Sequence, residues 1–259
     1  MSASAVTSQD GTPIAYWSSG HGRPILIVHG LGASHLSWMP FVDALRDACT
    51  VCTYDRRGRG ESGDDAPYAF EREVDDLLAV ATALGAEVVL GHSLGGALAL
   101  EAALTSDSIR ALIVVEGWAS PLTTIPDDVL EGIERLVSDG RLADAFHYGD
   151  SPEDVEVARE LPDYAQRVAS VHTYPREIRG WERYWLEHPV DDDRWRGLDR
   201  PVLLLLGEQG QESTKPPAEL LAQRMPSATI RVLEGQGHQV YLESPELLAR
   251  EVREWLSGI

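Results

Sequence analysis

Five residues, Gly91-His92-Ser93-Leu94-Gly95, limit what this chain can fold into more than any other stretch. Val88, Val89 and Leu90 come just before them, a β-branched, apolar run suited to a buried strand. Gly96-Ala97-Leu98-Ala99-Leu100-Glu101-Ala102-Ala103-Leu104 follows and is rich in strong helix formers. A G-x-S-x-G turn between a strand and a helix puts its serine on a sharp elbow above the sheet, and the glycines let strand and helix approach closely. The plainer alternative is a glycine-rich turn whose serine caps the helix. With strand, elbow and helix all present, Ser93 reads as a nucleophile.

The rest of the chain supplies partners in a consistent order. Ile25-Leu26-Ile27-Val28 reads as a strand ending in His29-Gly30-Leu31-Gly32. A serine that attacks a carbonyl needs backbone N–H groups aimed at the oxyanion that forms. Leu94, the residue after the nucleophile, supplies one, and Leu31 in the earlier loop supplies the other. Near the C-terminus a strand over 228–233 leads into Glu234-Gly235-Gln236-Gly237-His238. A histidine on a glycine-flanked loop beyond the last strand can reach the elbow as general base, so His238 is the candidate.

Together with Tyr54-Asp55-Arg56-Arg57-Gly58-Arg59-Gly60-Glu61-Ser62, these motifs resemble the α/β-hydrolase superfamily over nearly the whole chain. The resemblance implies an α/β fold with a mostly parallel eight-stranded sheet flanked by helices. It also implies a helical cap inserted over the serine. Residues 1–116 and 199–259 then form the core and 117–198 the cap. Ser93 in place of an elbow aspartate favours acyl transfer over the alkyl-ester chemistry of the family's dehalogenases and epoxide hydrolases.

Coarse periodicity places a hairpin over 5–17, strands at 51–54, 109–116 and 201–206, and helices at 38–48 and 70–84. Gly85 is a natural helix stop, and Ser244-Pro245-Glu246 a favourable start for a final helix. Between the strands 109–116 and 201–206 lie about eighty residues, too many for a plain connection. Helical stretches are expected there at 127–139, 153–160, 163–173 and 176–187.

A net charge of −20 argues against nucleic acid and anionic membrane surfaces and favours a neutral or weakly charged substrate. Arg56, Arg57 and Arg59 are the one dense basic cluster and read as structural or solvated. Cys49 and Cys52 read as reduced thiols near the core. With no apolar leader at the start and no membrane-length apolar run, the expected location is cytoplasmic. No metal or organic cofactor is required. A small-molecule ester or lactone is the expected partner; a homodimer is compatible with the sequence, but no motif sets the oligomeric state.

Trp181, Tyr184 and Trp185 share one helical face. They either pack the cap onto the core or, in part, line the substrate pocket. Trp118 and Trp38 lie near the rim by chain position, so Trp38, Trp118, Trp181 and Trp185 are the candidate substrate-binding residues. Asp191-Asp192-Asp193 reads as a solvated boundary. His29 has a supporting role in its loop, and the His92 ring should point away from the Ser93 hydroxyl. Hydrolysis of a neutral, apolar or aromatic ester or lactone fits best. C–C bond hydrolysis, a hydroxynitrile-type lyase and a ligand receptor with little turnover are the alternatives.

One position departs from the family. Its usual triad acid is an Asp in a G-x-x-D turn after the strand at 201–206, and here Gly207-Glu208-Gln209-Gly210 puts glycine in that place. Glu116 closes an apolar strand at the same sheet edge as the elbow. Some relatives, including zearalenone-type lactonases and some haloalkane dehalogenases, keep their acid there. Glu116 is therefore the expected acid, with Glu208 and Glu212 as the alternatives.

Overall fold

The computed structural model describes residues 3–64, 67–117, 125–190 and 193–259. The chain opens with β1 (Ser4–Thr7) and β2 (Pro13–Gly20), then β3 (Arg23–Val28), α1 (Met39–Leu45), β4 (Cys49–Tyr54) and α2 (Phe70–Leu84). Next come β5 (Val88–His92), α3 (Leu94–Thr105) and β6 (Ala111–Val115). A helical insertion follows: α4 (Asp127–Ser138), α5 (Leu142–Phe146), α6 (Pro152–Arg159), α7 (Tyr164–Ser170) and α8 (Tyr174–Glu187). The chain closes with β7 (Val202–Gly207), α9 (Lys215–Arg224), β8 (Ala228–Leu233), α10 (Val240–Glu243) and α11 (Pro245–Leu256).

The eight strands form one sheet in the order β1-β2-β4-β3-β5-β6-β7-β8. Only the β1–β2 and β2–β4 pairs are antiparallel, as a hairpin at one edge requires. The other pairs are parallel and covered by helices on both faces, so β3 to β7 read as continuous apolar runs. One face packs on α2 and α3, and the other on α1 and α11. Helix α3 is buried from Leu94 to Ala103, which is why its sequence is apolar on every side.

Gly85 ends α2 in the left-handed conformation (φ 60°), its N–H reaching the Ala81 and Thr82 carbonyls. Ser244 precedes Pro245, but its side chain makes no capping bond. Its backbone (φ −144°, ψ 58°), neither helical nor extended, instead turns the chain out of α10. The thiols of Cys49 and Cys52 are free and buried. Burial pushes the Cys52 thiol up to about 11, so it stays protonated. Among the described residues, no helix is long and apolar enough to cross a membrane.

The insertion has a small core of its own around Ile133, Ala145 and Val171. It lies across the loops that follow β3 and β4. Asp163, just before α7, accepts a hydrogen bond from Ser37 Oγ, and Glu177 of α8 pairs with Arg56 and Arg59.

Candidate active site

The elbow has the geometry its glycines allow. Ser93 adopts φ 53°, ψ −124°, a left-handed backbone that a non-glycine residue takes only under constraint. The constraint is packing: a Cβ on Gly91 would lie 2.8 Å from Ala99 Cβ, and one on Gly95 would lie 2.6 Å from the His29 carbonyl oxygen. Ser93 N–H donates to the Val115 carbonyl (3.0 Å), which fixes the elbow against β6. Ser93 keeps 8% of its surface exposed.

His238 sits on the loop after β8. Its Nδ1 lies 3.1 Å from Glu116 Oε2, and the carboxylate is buried while the ring is half-buried. Glu116 also accepts from the N–H groups of Gly207 (2.8 Å) and Gln211 (3.0 Å). Its own backbone is strained, with φ 49°. A carboxylate oxygen accepting from Nδ1–H holds imidazole in that tautomer and leaves Nε2 as the acceptor. No hydrogen bond joins the Ser93 hydroxyl to the ring in this structure; such contacts are commonly long until substrate binds. Glu208 is exposed and accepts from Gly235 N–H, and Glu212 is exposed and pairs with Lys215. Glu116 is thus the carboxylate brought to His238.

The glycine at 210 now has a reason. A Cβ there would sit 2.5 Å from Glu116 Cδ, so the glutamate carboxylate occupies the volume an aspartate side chain would need.

Leu94 is the first residue of α3, and Leu31 lies in the turn after β3. Neither N–H donates a bond to any described residue. Gly30 presses on the elbow, since a Cβ on it would be 3.0 Å from Ser93 Cβ. Backbone donors with no partner among the described residues, one of them at a helix N-terminus beside the Ser93 elbow, have the chemistry to receive a developing oxyanion.

Of the tryptophans expected to bind substrate, three take packing roles. Trp38 is fully buried, stacked on Tyr241 (4.3 Å) and edge-on to His92 (5.9 Å). Trp181 and Trp185 are also fully buried. Trp185 stacks on Trp195 (6.1 Å), and its neighbour Tyr184 stacks on Phe70 of α2 (4.5 Å). Rings with no surface that water can touch do not line an open pocket: Trp181 and Trp185 join the insertion to the core, and Trp38 packs within the core itself. Trp118, Asp191 and Asp192 lie outside the described residues.

Several residues support the site in ways the sequence did not signal. His92 Nε2 donates to the His238 carbonyl (2.8 Å), supporting the loop from below; burial and the nearby His238 hold its pKa well down, so the ring is neutral. Tyr241, three residues after His238, joins Trp38 and His92 in an aromatic cluster. The Tyr174 hydroxyl rests against Gly32, and the buried Arg167 is held by Asp163 (2.8 Å). No motif marks Tyr241, Tyr174 or Arg167, and the bond from His92 to the His238 loop is seen only in the folded arrangement. The Arg56, Arg57 and Arg59 cluster is not solvated: all three are buried and paired, Arg57 with Asp76 (2.7 Å) and Asp10 (2.9 Å).

A parallel sheet with a serine elbow at the end of β5 and a histidine after the last strand defines an α/β-hydrolase architecture. The chain belongs to the alpha/beta hydrolase family, whose model matches residues 25–251. It is 39% identical over 254 residues to a putative carbamate hydrolase RutD from Caulobacter vibrioides NA1000 / CB15N, covering 92% of this chain and 94% of that protein. An alpha/beta hydrolase structure from Sphaerobacter thermophilus DSM 20745 superposes with TM-score 0.83 at 33% identity, covering 98% of this chain and all (100%) of that one. A thermophilic esterase from Thermogutta terrifontis shares the fold (TM-score 0.73, 24% identity, covering 100% and 99%).

Proposed function

We propose that this hydrolase cleaves a small, neutral, apolar or aromatic carboxylic ester or lactone through an acyl-enzyme on Ser93. The observation that carries the reading is the strained Ser93 elbow combined with a His238 ring held by the buried Glu116 carboxylate. His238 Nε2 takes the Ser93 proton as Oγ attacks the acyl carbon, and Leu31 and Leu94 N–H groups hold the resulting oxyanion. The imidazolium, stabilised by Glu116, then protonates the leaving alkoxide. Water deprotonated by His238 attacks the acyl-enzyme and releases the acid. The helical insertion acts as the cap that limits water and shapes the acyl pocket.

The 39% identical relative named as a putative carbamate hydrolase supports a second reading, in which the acyl group is a carbamoyl. The chemistry at Ser93 is the same: Oγ takes the carbamoyl carbon, His238 protonates the leaving alkoxide, and water then releases the carbamic acid.

The test is a panel of neutral esters, lactones and carbamates of increasing size, run with wild type and Ser93→Ala, alongside a fluorophosphonate probe and mass spectrometry. The proposal expects one adduct on Ser93 and turnover by wild type alone. Labelling that persists in Ser93→Ala, or tight binding with no product, refutes it; which acyl class turns over decides between the two readings.

A further inference from the structure

The Gly30–Leu31 peptide is held by its carbonyl. Gly30 O accepts from His29 Nδ1–H at 2.9 Å and from Arg56 Nη1–H at 3.4 Å. The His29 tautomer is set from the other side of the ring, where Nε2 accepts the Arg56 backbone N–H at 3.1 Å. Burial, with the charges of Arg59 and Arg56, holds the His29 pKa well down, so the ring is neutral and keeps that one arrangement. In a trans peptide the carbonyl and the following N–H point in opposite directions. Fixing where Gly30 C=O points therefore fixes where Leu31 N–H points.

The Arg56 guanidinium is itself fully determined. Nε and Nη2 donate to the two Glu73 oxygens (2.7 and 2.6 Å), and Nη2 also donates to Glu177 Oε2 at 2.8 Å. Arg56, Glu73 and Glu177 are all 0% exposed. The planar fork leaves Nη1 no freedom once those anchors are in place, and it reaches Gly30. Glu177 belongs to the insertion and is gripped by Arg59 as well (2.7 and 2.9 Å). A displaced insertion would withdraw one anchor, let the guanidinium rotate about Glu73, and loosen the Gly30 carbonyl.

We infer that Arg56 is a positioning residue for the oxyanion hole, and that Glu177 makes its alignment conditional on the helical insertion being seated. This rests on Ser93 acting as the nucleophile with Leu31 as an oxyanion donor. Neither Arg56 nor Glu177 needs to touch substrate. The competing role for the cluster is adhesion alone, tying the insertion to the core. The two roles differ in what the transition state feels.

The experiment compares full-length Arg56→Lys and Glu177→Gln with Asp76→Asn, which breaks the buried Arg57 pair in the same loop region without reaching Gly30. Each is assayed on a p-nitrophenyl ester for kcat and KM well below its Tm. Each is also titrated with a trifluoromethyl ketone, whose adduct on a serine places an oxyanion in the hole. Losing a whole oxyanion donor costs about 10²–10³ in kcat, so misalignment is expected to cost roughly tenfold or more. In Arg56→Lys and Glu177→Gln, kcat should fall by that factor with KM nearly unchanged, and ketone affinity should fall in step. Asp76→Asn should lower Tm and leave kcat and ketone affinity close to wild type.

Unchanged ketone affinity in Arg56→Lys, or the same kcat loss in Asp76→Asn, overturns the inference. Should the first two variants fail to fold, Glu177→Asp keeps the charge, shortens the reach, and is read by the same ratios. A wild type that neither turns over ester nor takes the probe at Ser93 overturns the hydrolase reading, and this inference with it.

Discussion

Glu116→Gln removes a charge and almost no volume, and the structure sets its consequences. Oε2 faces both His238 Nδ1 (3.1 Å) and Gln211 N–H (3.0 Å), while Oε1 faces Gly207 N–H (2.8 Å). Glutamine has one acceptor oxygen and two donors to place among three donors. With its oxygen at the Oε2 position the imidazole keeps its tautomer, but the amide NH2 meets Gly207 N–H head-on. With the oxygen at Oε1 the NH2 faces Gln211 N–H and drives the ring to the wrong tautomer. Either way a buried donor is left unpaired, at a stability cost of about 1–3 kcal/mol. The imidazolium also loses its counter-charge. In the serine-protease triad the equivalent change costs about 10⁴ in kcat. A loss of three to four orders of magnitude, about 4–5.5 kcal/mol of transition-state stabilisation, is expected here. Ester turnover and Tm, measured on Glu116→Gln, Glu208→Gln and Glu212→Gln together, are the assay. Near-wild-type kcat in Glu116→Gln, with the loss appearing in Glu208→Gln or Glu212→Gln, refutes the reasoning. A rescue sharpens it: because a Cβ on Gly210 would sit 2.5 Å from Glu116 Cδ, Gly210→Asp alone should fail. Combined with Glu116→Gly, which also relieves φ 49° at 116, it should regain activity over Glu116→Gly.

Trp181→Ala should cost about 3–5 kcal/mol of stability by opening a cavity. It should reduce activity on acetate and bulky aryl esters in the same proportion; a selective loss on bulky esters would return the ring to the pocket. Gly32→Ala, at φ 69° with its new methyl against the Tyr174 hydroxyl, should lower both Tm and kcat, and Tyr174→Phe in the same chain should restore part of each. Burial would raise the Glu177 carboxyl, but Arg59 and Arg56 outweigh it and hold it down to about 2. A depressed carboxyl stabilises the fold above its unfolded pKa and loses that contribution as pH falls, so urea stability should decline between pH 4.5 and about 2. Glu73, raised by burial, works in the opposite sense, so the Glu177 share is read as the part of that slope missing in Glu177→Gln; an unchanged slope there would exclude it.

What was legible in the sequence follows from how local each feature is. The elbow, the β3 loop and the final histidine are short motifs whose geometry is fixed by neighbours in the chain, and glycine spacing alone exposes them. The core strands were readable because both faces are buried, which leaves long apolar runs. Helices α5 and α9 gave no signal: the first is five residues long, and the second opens on Lys215-Pro216-Pro217, which reads as a turn although proline suits a first helical turn. The tryptophans showed the limit of periodicity. Trp181 and Trp185 share a helical face by spacing, but whether that face meets a pocket or Trp195 is decided by the tertiary fold.

Glu116 shows how an absence in one segment can be read through a residue in another. The sequence holds a glycine where the family's acid is usual and a charged residue closing an apolar strand nearly a hundred positions earlier. Neither alone assigns a role. The structure joins them, because the carboxylate of the second fills the space left by the first and takes two backbone N–H groups from the same turn. That turn would cradle an aspartate's oxygens as well as a glutamate's, so what His238 requires is a carboxylate at one point in space, and either strand end can supply it. The strained backbone at 116 is the cost of reaching that point from β6, offset by three hydrogen bonds in a buried site. On the proposed reading Arg56 follows the same logic at the oxyanion side, where Leu31 N–H would be aimed by bonds made to the Gly30 carbonyl behind it.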